Sequence, residues 1–108
     1  MASSLEALNV IDFATLTVSS TAVGCADATP AYANGKVNGQ IVRRMLITSE
    51  TSETRWRADG TDPSSSEGHI YAKDSTLSFT GANYRMLLKN IRFIATGDDA
   101  TLKITYFD

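Results

Sequence analysis

The chain has 108 residues, 43% hydrophobic and 20% charged, with 10 Lys+Arg against 12 Asp+Glu for a net charge of −2. That length allows one ordinary domain and no more. The composition excludes a disordered polyelectrolyte tail, and the charge balance argues against nucleic acid as a partner, since such proteins carry a stronger basic footprint.

Residues 1–12 read as a short N-terminal arm, followed by one domain over 13–108. The arm carries SSLEALNVI (3–11), which suits a turn or two of helix behind a serine cap. MASSLEALNVIDF lacks the basic n-region and continuous apolar run of a secretory signal. No apolar run approaches the roughly 20 residues that cross a bilayer. The expectation is a soluble protein made in a reducing compartment, without a membrane partner.

FATLTVSST (13–21) alternates, with Ala14, Leu16 and Val18 on one side and Thr15, Thr17 and Ser19 on the other. This is the period of a half-buried strand. Residues 22–39, AVGCADATPAYANGKVNG, show no clean period beyond an irregular strand around Cys25–Thr29, and read mainly as a long loop. Cys25 is the only cysteine, so it makes no internal disulfide and builds no cysteine-pair metal site. Its expected role is that of a small buried apolar residue.

QIVRRMLITSE (40–50) places Ile41, Met45 and Ile47 on one face, with Arg43 reaching solvent along its stem or standing near an end. ETRWRA (53–58) points Trp56 inward between Arg55 and Arg57. STLSFT (75–80) aligns Leu77 with Phe79, KNIRFIAT (89–96) aligns Ile91, Phe93 and Ala95, and TLKITYF (101–107) aligns Leu102, Ile104 and Tyr106. GANYRMLLKN (81–90) has the spacing of a short helical turn. Glycines and prolines punctuate these runs and no helix is long enough for a crossover. The pattern predicts an all-β fold: one antiparallel β-sandwich or jelly-roll-like domain of about seven or eight strands.

RWRADGTDPSSSEGH (55–69) gathers the only tryptophan and the only histidine with arginines, carboxylates and serines. A nucleophilic triad would need a serine with a base and an orienting acid. Ser64, Ser65 and Ser66 are better explained as a polar loop, because no strand-to-helix elbow surrounds them. Zinc would require more His and Cys than this chain holds. D-G-T-D (59–62) and G-D-D (97–99) are oxygen-rich enough for Ca²⁺, but such pairs are common turn residues. The glycines form no phosphate loop. The expectation is therefore no catalytic residue, no cofactor and no metal. Asp59, Gly60, Thr61, Pro63 and Gly68 are assigned to a structural turn, with Gly60 supplying positive φ and Pro63 fixing its own. His69 reads as a polar strand-edge residue. Tyr32, Arg55 and Arg57 are candidate partner contacts. Trp56 with Tyr71, Tyr84 and Tyr106 would make a sugar platform if exposed, although alternation favours Trp56 as core.

The order of these features also resembles a family. TSETRWR, D-G-T-D-P, a Ser-rich link, G-H, KDSTLSF, I-R-F-I-A-T-G-D-D-A and T-L-K-I-T-Y-F follow one another over residues 53–107, and TLTVSSTAVG (15–24) fits an opening strand. This resembles a family of small structural proteins of tailed bacteriophages, with an R-x-x-x-D-G-T-x-P turn, a G-H, and a closing L-x-V-T-Y strand. Lys73-Asp74 departs from the Gly-Asp more usual there, and Phe93-Ile94-Ala95 from an Arg-Ala-Ile-Arg type run. The resemblance implies a non-enzymatic virion component with a β-sandwich fold, made in the host bacterial cytoplasm. Its expected partners are its own copies and other virion proteins, such as the major capsid or neck proteins. A capsid decoration (cement) protein is the leading expectation, a neck or tail adaptor the alternative, and a carbohydrate-binding module the alternative from another class. The acidic arm and the 22–39 loop are the segments expected to grasp a neighbour.

Overall fold

The computed structural model describes residues 9–80 and 89–108. The chain is all-β and antiparallel. Its strands are β1 (Val10–Val18), β2 (Val23–Gly24), β3 (Lys36–Val37), β4 (Gln40–Ile41), β5 (Arg44–Glu50), β6 (Thr54–Arg57), β7 (His69–Tyr71), β8 (Thr76–Thr80), β9 (Arg92–Ala95) and β10 (Ala100–Phe107). A 3₁₀ turn, Cys25–Asp27, follows β2.

Two four-stranded sheets run β1-β10-β5-β8 and β2-β9-β6-β7, and β3 pairs with β4 in a small ribbon. The pairs nest: β1 with β10, β2 with β9, β5 with β8, β6 with β7. The chain is thus one long hairpin folded over on itself, and the β10–β5 and β9–β6 pairings join the nested pairs side by side.

Alternation decides the core. β10 reads buried and half-buried by turns, so Leu102, Ile104 and Tyr106 point in while Thr101, Lys103, Thr105 and Phe107 point out. Ala14, Leu16 and Val18 of β1, and Met45 and Ile47 of β5, complete the inner face of that sheet. Phe93, Ala95 and Tyr71 come from the other sheet and join the same buried cluster. Burying a side chain of the Leu, Ile or Phe class contributes about 1.5–3 kcal/mol. The Tyr71 hydroxyl crosses between the sheets to the Ile47 carbonyl at 2.7 Å.

Three expectations need correction. β1 begins at Val10, so residues 10–12 belong to the sheet and not to an arm; Val10 pairs with Phe107 and Asp12 with Tyr106 across a bulge. The rest of the helical reading of 3–11 lies outside the described residues, as does that of 81–88. Residues 40–50 are not one strand. The strand breaks at Val42 and Arg43, where the buried Val42 donates its amide to the Gly35 carbonyl at 2.9 Å, so Ile41 ends in the small ribbon at 40% exposure and β5 starts at Arg44. Arg43 precedes β5 and pairs with Asp108 at 3.7 Å.

The third concerns 22–39, which is less a loop than one wall of the core. Cys25, Ala28, Tyr32 and Val37 are all buried. Thr29 exchanges both backbone hydrogen bonds with Thr15 at 3.1 Å, covering part of the free edge of β1. An unpaired strand edge invites other chains, so this cover narrows the edge open to association.

Candidate functional site

The strands β6 and β7 carry the 55–69 stretch between them. Their last register pair is Trp56↔His69, after which residues 58–68 form the connecting loop. Trp56 is on the inward face, beside Phe93 of β9. It stands at the end of the sheet, so it is only half-buried. Its ring meets Phe79 edge-on at 6.3 Å and lies 4.7 Å from the exposed His69 ring at a tilt of 38°. The alternation that places Trp56 inward is therefore correct about direction and overstates its burial.

Several bonds fix the loop. Arg55 donates from Nε to the Ser65 carbonyl at 3.1 Å and from Nη1 to the Gly68 carbonyl at 2.8 Å. Ser64 Oγ accepts from the amides of Ser66 and Glu67. Asp62 faces Arg92 of β9 at 3.1 Å. Gly60 takes φ +87°, and the Asp59 carboxylate accepts from the Thr61 amide at 3.3 Å. Pro63, within the loop, is buried. Gly68 has φ +138°, and a Cβ there would lie 3.0 Å from the Trp56 carbonyl oxygen. Glycine alone meets both demands without strain.

Trp56, Arg57, Asp59, Glu67, Gly68 and His69 line a concavity of about 580 Å³ at this end of the sheet. Arg57 and Asp59 form a two-point pair, Nε to Oδ1 at 3.1 Å and Nη2 to Oδ2. The hydrogen bond from Arg57 holds the Asp59 carboxyl down at about 2, below its ordinary 3.8. Asp59 is thus ionised at neutral pH. Its pairing is complete above its ordinary value and is lost as pH falls toward 2. Glu67 makes no ion pair among the described residues.

The five turn residues come together in or beside this loop. Of the three candidate partner contacts, Arg55 and Arg57 stand against this loop and Tyr32 does not. Tyr32 is 3% exposed and its ring stacks on Tyr106 at 6.3 Å, so it offers no face to a partner. Arg55 is committed to the loop carbonyls, and Arg57 to Asp59 and the cleft. Tyr71 and Tyr106 are likewise buried, which removes them from a sugar platform. Among the described residues no group of three or more His, Cys, Asp and Glu gathers as a metal site would require. Sequence reasoning missed Glu67 and the Trp56–His69 ring contact. The usable signal was the pairing of the strands flanking one loop, which sets Trp56 opposite His69.

Outside the cleft, the outer face of β1-β10-β5-β8 is a second candidate surface. Val10 stands opposite Phe107, and Phe13 opposite Thr105, which stands opposite Leu46. Val10 is 64% and Phe13 55% exposed. The Arg44 guanidinium lies over the Phe107 ring, 5.3 Å from its centre. The next row across is Thr15, Lys103, Thr48 and Thr76.

Comparison of the chain with protein-family models, with curated proteins and with solved structures found no match in any of the three.

Proposed function

We propose that the protein is a non-enzymatic structural component of a tailed-bacteriophage particle, a capsid decoration protein that braces the shell by contact. The observation that carries this reading is the outer face just described. Val10, Phe13 and Phe107 sit together among threonines on a sheet face with few charges, and Phe13 is more than half exposed. Contiguous exposed apolar surface of this kind marks protein–protein contact. Repeated over many copies, modest contacts add up to a stabilised shell.

Two further observations support the reading. The order of turns and strands over 53–107 resembles the phage family. The nested pairing, with the eight sheet strands ordered first-eighth-third-sixth and second-seventh-fourth-fifth, has the connectivity of a jelly roll, which recurs in viral capsid domains. Connectivity alone assigns no function, so the weight rests on the outer face. Its partners are its own copies and the major capsid protein, in the virion.

Peptide mass spectrometry of density-purified particles from the producing strain tests this reading. The chain is expected in intact particles, in a fixed ratio to the major shell protein. Its absence from mature particles overturns the proposal. Electron microscopy that places it at the neck or tail would replace decoration with the adaptor role.

A further inference from the structure

We propose that the cleft beneath the 58–68 loop binds a neutral saccharide. This inference rests on the cleft alone and is independent of any role in a particle.

The half-buried Trp56 indole and the His69 ring form an aromatic wall. The C–H face of a pyranose ring is apolar and flat, and an indole offers it a large rigid surface at little cost in side-chain entropy. Around that wall are groups of the other kind that sugar recognition needs. Arg57 presents N–H donors, while Asp59 and Glu67 present carboxylate acceptors. A concavity of mixed apolar and convergent polar groups is the usual form of a small-molecule site.

Charge selects among ligands. One guanidinium against two carboxylates leaves the rim net negative, which opposes phosphates, nucleic acids and acidic sugars. A cation also fits the aromatic wall and the negative rim, but it leaves the Arg57 N–H donors unused, and the lysine-rich peptide titrated below separates it from a sugar. Asp59 is moreover already paired with Arg57, so Glu67 is the one carboxylate at the rim without an ion pair among the described residues. A neutral polyhydroxyl ligand uses donors and acceptors together and is repelled by neither.

The site is also set in advance. The two bonds from Arg55 to loop carbonyls, and the Arg57–Asp59 pair, hold the rim in place before anything binds. Little ordering remains to oppose association.

The chain has one tryptophan, so its emission reports on this cleft. The test titrates the whole protein with chitotetraose, maltohexaose, cellohexaose and mannohexaose, following tryptophan emission and the heat of binding. A lysine-rich peptide is titrated in parallel. The expected result is saturable binding of at least one oligosaccharide, with a shift or quench of emission. Glu67→Gln and His69→Ala, both at exposed positions, are expected to weaken it about tenfold with unchanged melting temperature. Neither heat nor emission change with all four sugars overturns the proposal. So does binding of the peptide in their place, or sugar binding that both variants leave intact.

Discussion

Tyr71 on β7 donates its hydroxyl proton to the Ile47 carbonyl of β5 at 2.7 Å, joining the two sheets through their shared core. Tyr106, also buried, has a hydroxyl with no hydrogen-bond partner among the described residues. The same residue type thus occupies opposite situations in one core.

That contrast gives a paired prediction. Tyr71→Phe removes a made bond and is expected to cost about 1 kcal/mol, which lowers Tm by about 4–8 °C in a domain of this size. Tyr106→Phe removes a buried group that gains nothing, so its expected effect is neutral or stabilising. Thermal melts of the two variants followed by far-ultraviolet circular dichroism check both.

Alkaline pH acts on the same residues. Burial pushes the Tyr71 hydroxyl from its ordinary 10.0 up to about 12 and raises Tyr106 as well. Both groups resist ionisation in the folded state, so their contribution is complete below pH 10. It is lost as pH rises from there through 12. Stability measured by urea titration at a series of pH values is expected to be level approaching pH 10 and to fall beyond it. A decline that sets in near neutral pH and levels off before 10 would contradict this account of the tyrosines.

Cys25 is 2% exposed, and burial pushes its thiol up to about 12. Its sulfur lies 3.8 Å from that of Met45. The thiolate is the reactive form, so the native protein is expected to ignore a thiol reagent at neutral pH and react fully in denaturant. Rapid labelling of the folded protein would refute the burial.

The loop glycines differ in kind. Gly60 has positive φ and open space around it, whereas Gly68 has positive φ and a Trp56 carbonyl oxygen that would lie 3.0 Å from any Cβ added there. Gly60→Val is expected to destabilise by more than about 1 kcal/mol through backbone strain alone. Gly68→Ala adds a clash to the strain and is expected to cost more than Gly60→Ala. Chemical denaturation of the variants ranks them.

The strands with clean alternation were legible from sequence: Leu16, Leu102 and Ile104 all fall on the inner face they were given. Residues 22–39 were not, because they supply Cys25, Tyr32 and Val37 to the core from a 3₁₀ turn, a loop and a two-residue strand. No period survives such short pieces. Ile41 misled because its alternation continues into β5 while the strand itself breaks at Val42 and Arg43. Arg55 read as a partner contact, since nothing in local order reveals bonds to carbonyls ten and thirteen residues away. The composition of the cleft was visible in the 55–69 stretch, but its shape depends on the Trp56↔His69 register.

The central claim is that the protein acts through the outer face of β1-β10-β5-β8. Co-sedimentation of purified protein with isolated phage shells, comparing wild type with Phe13→Asp, tests it most directly. The account predicts saturable pelleting of the wild type and loss of binding in the variant, with the fold and Tm of both unchanged because Phe13 lies outside the core. Wild-type protein left in the supernatant, or a variant that binds equally well, would contradict it.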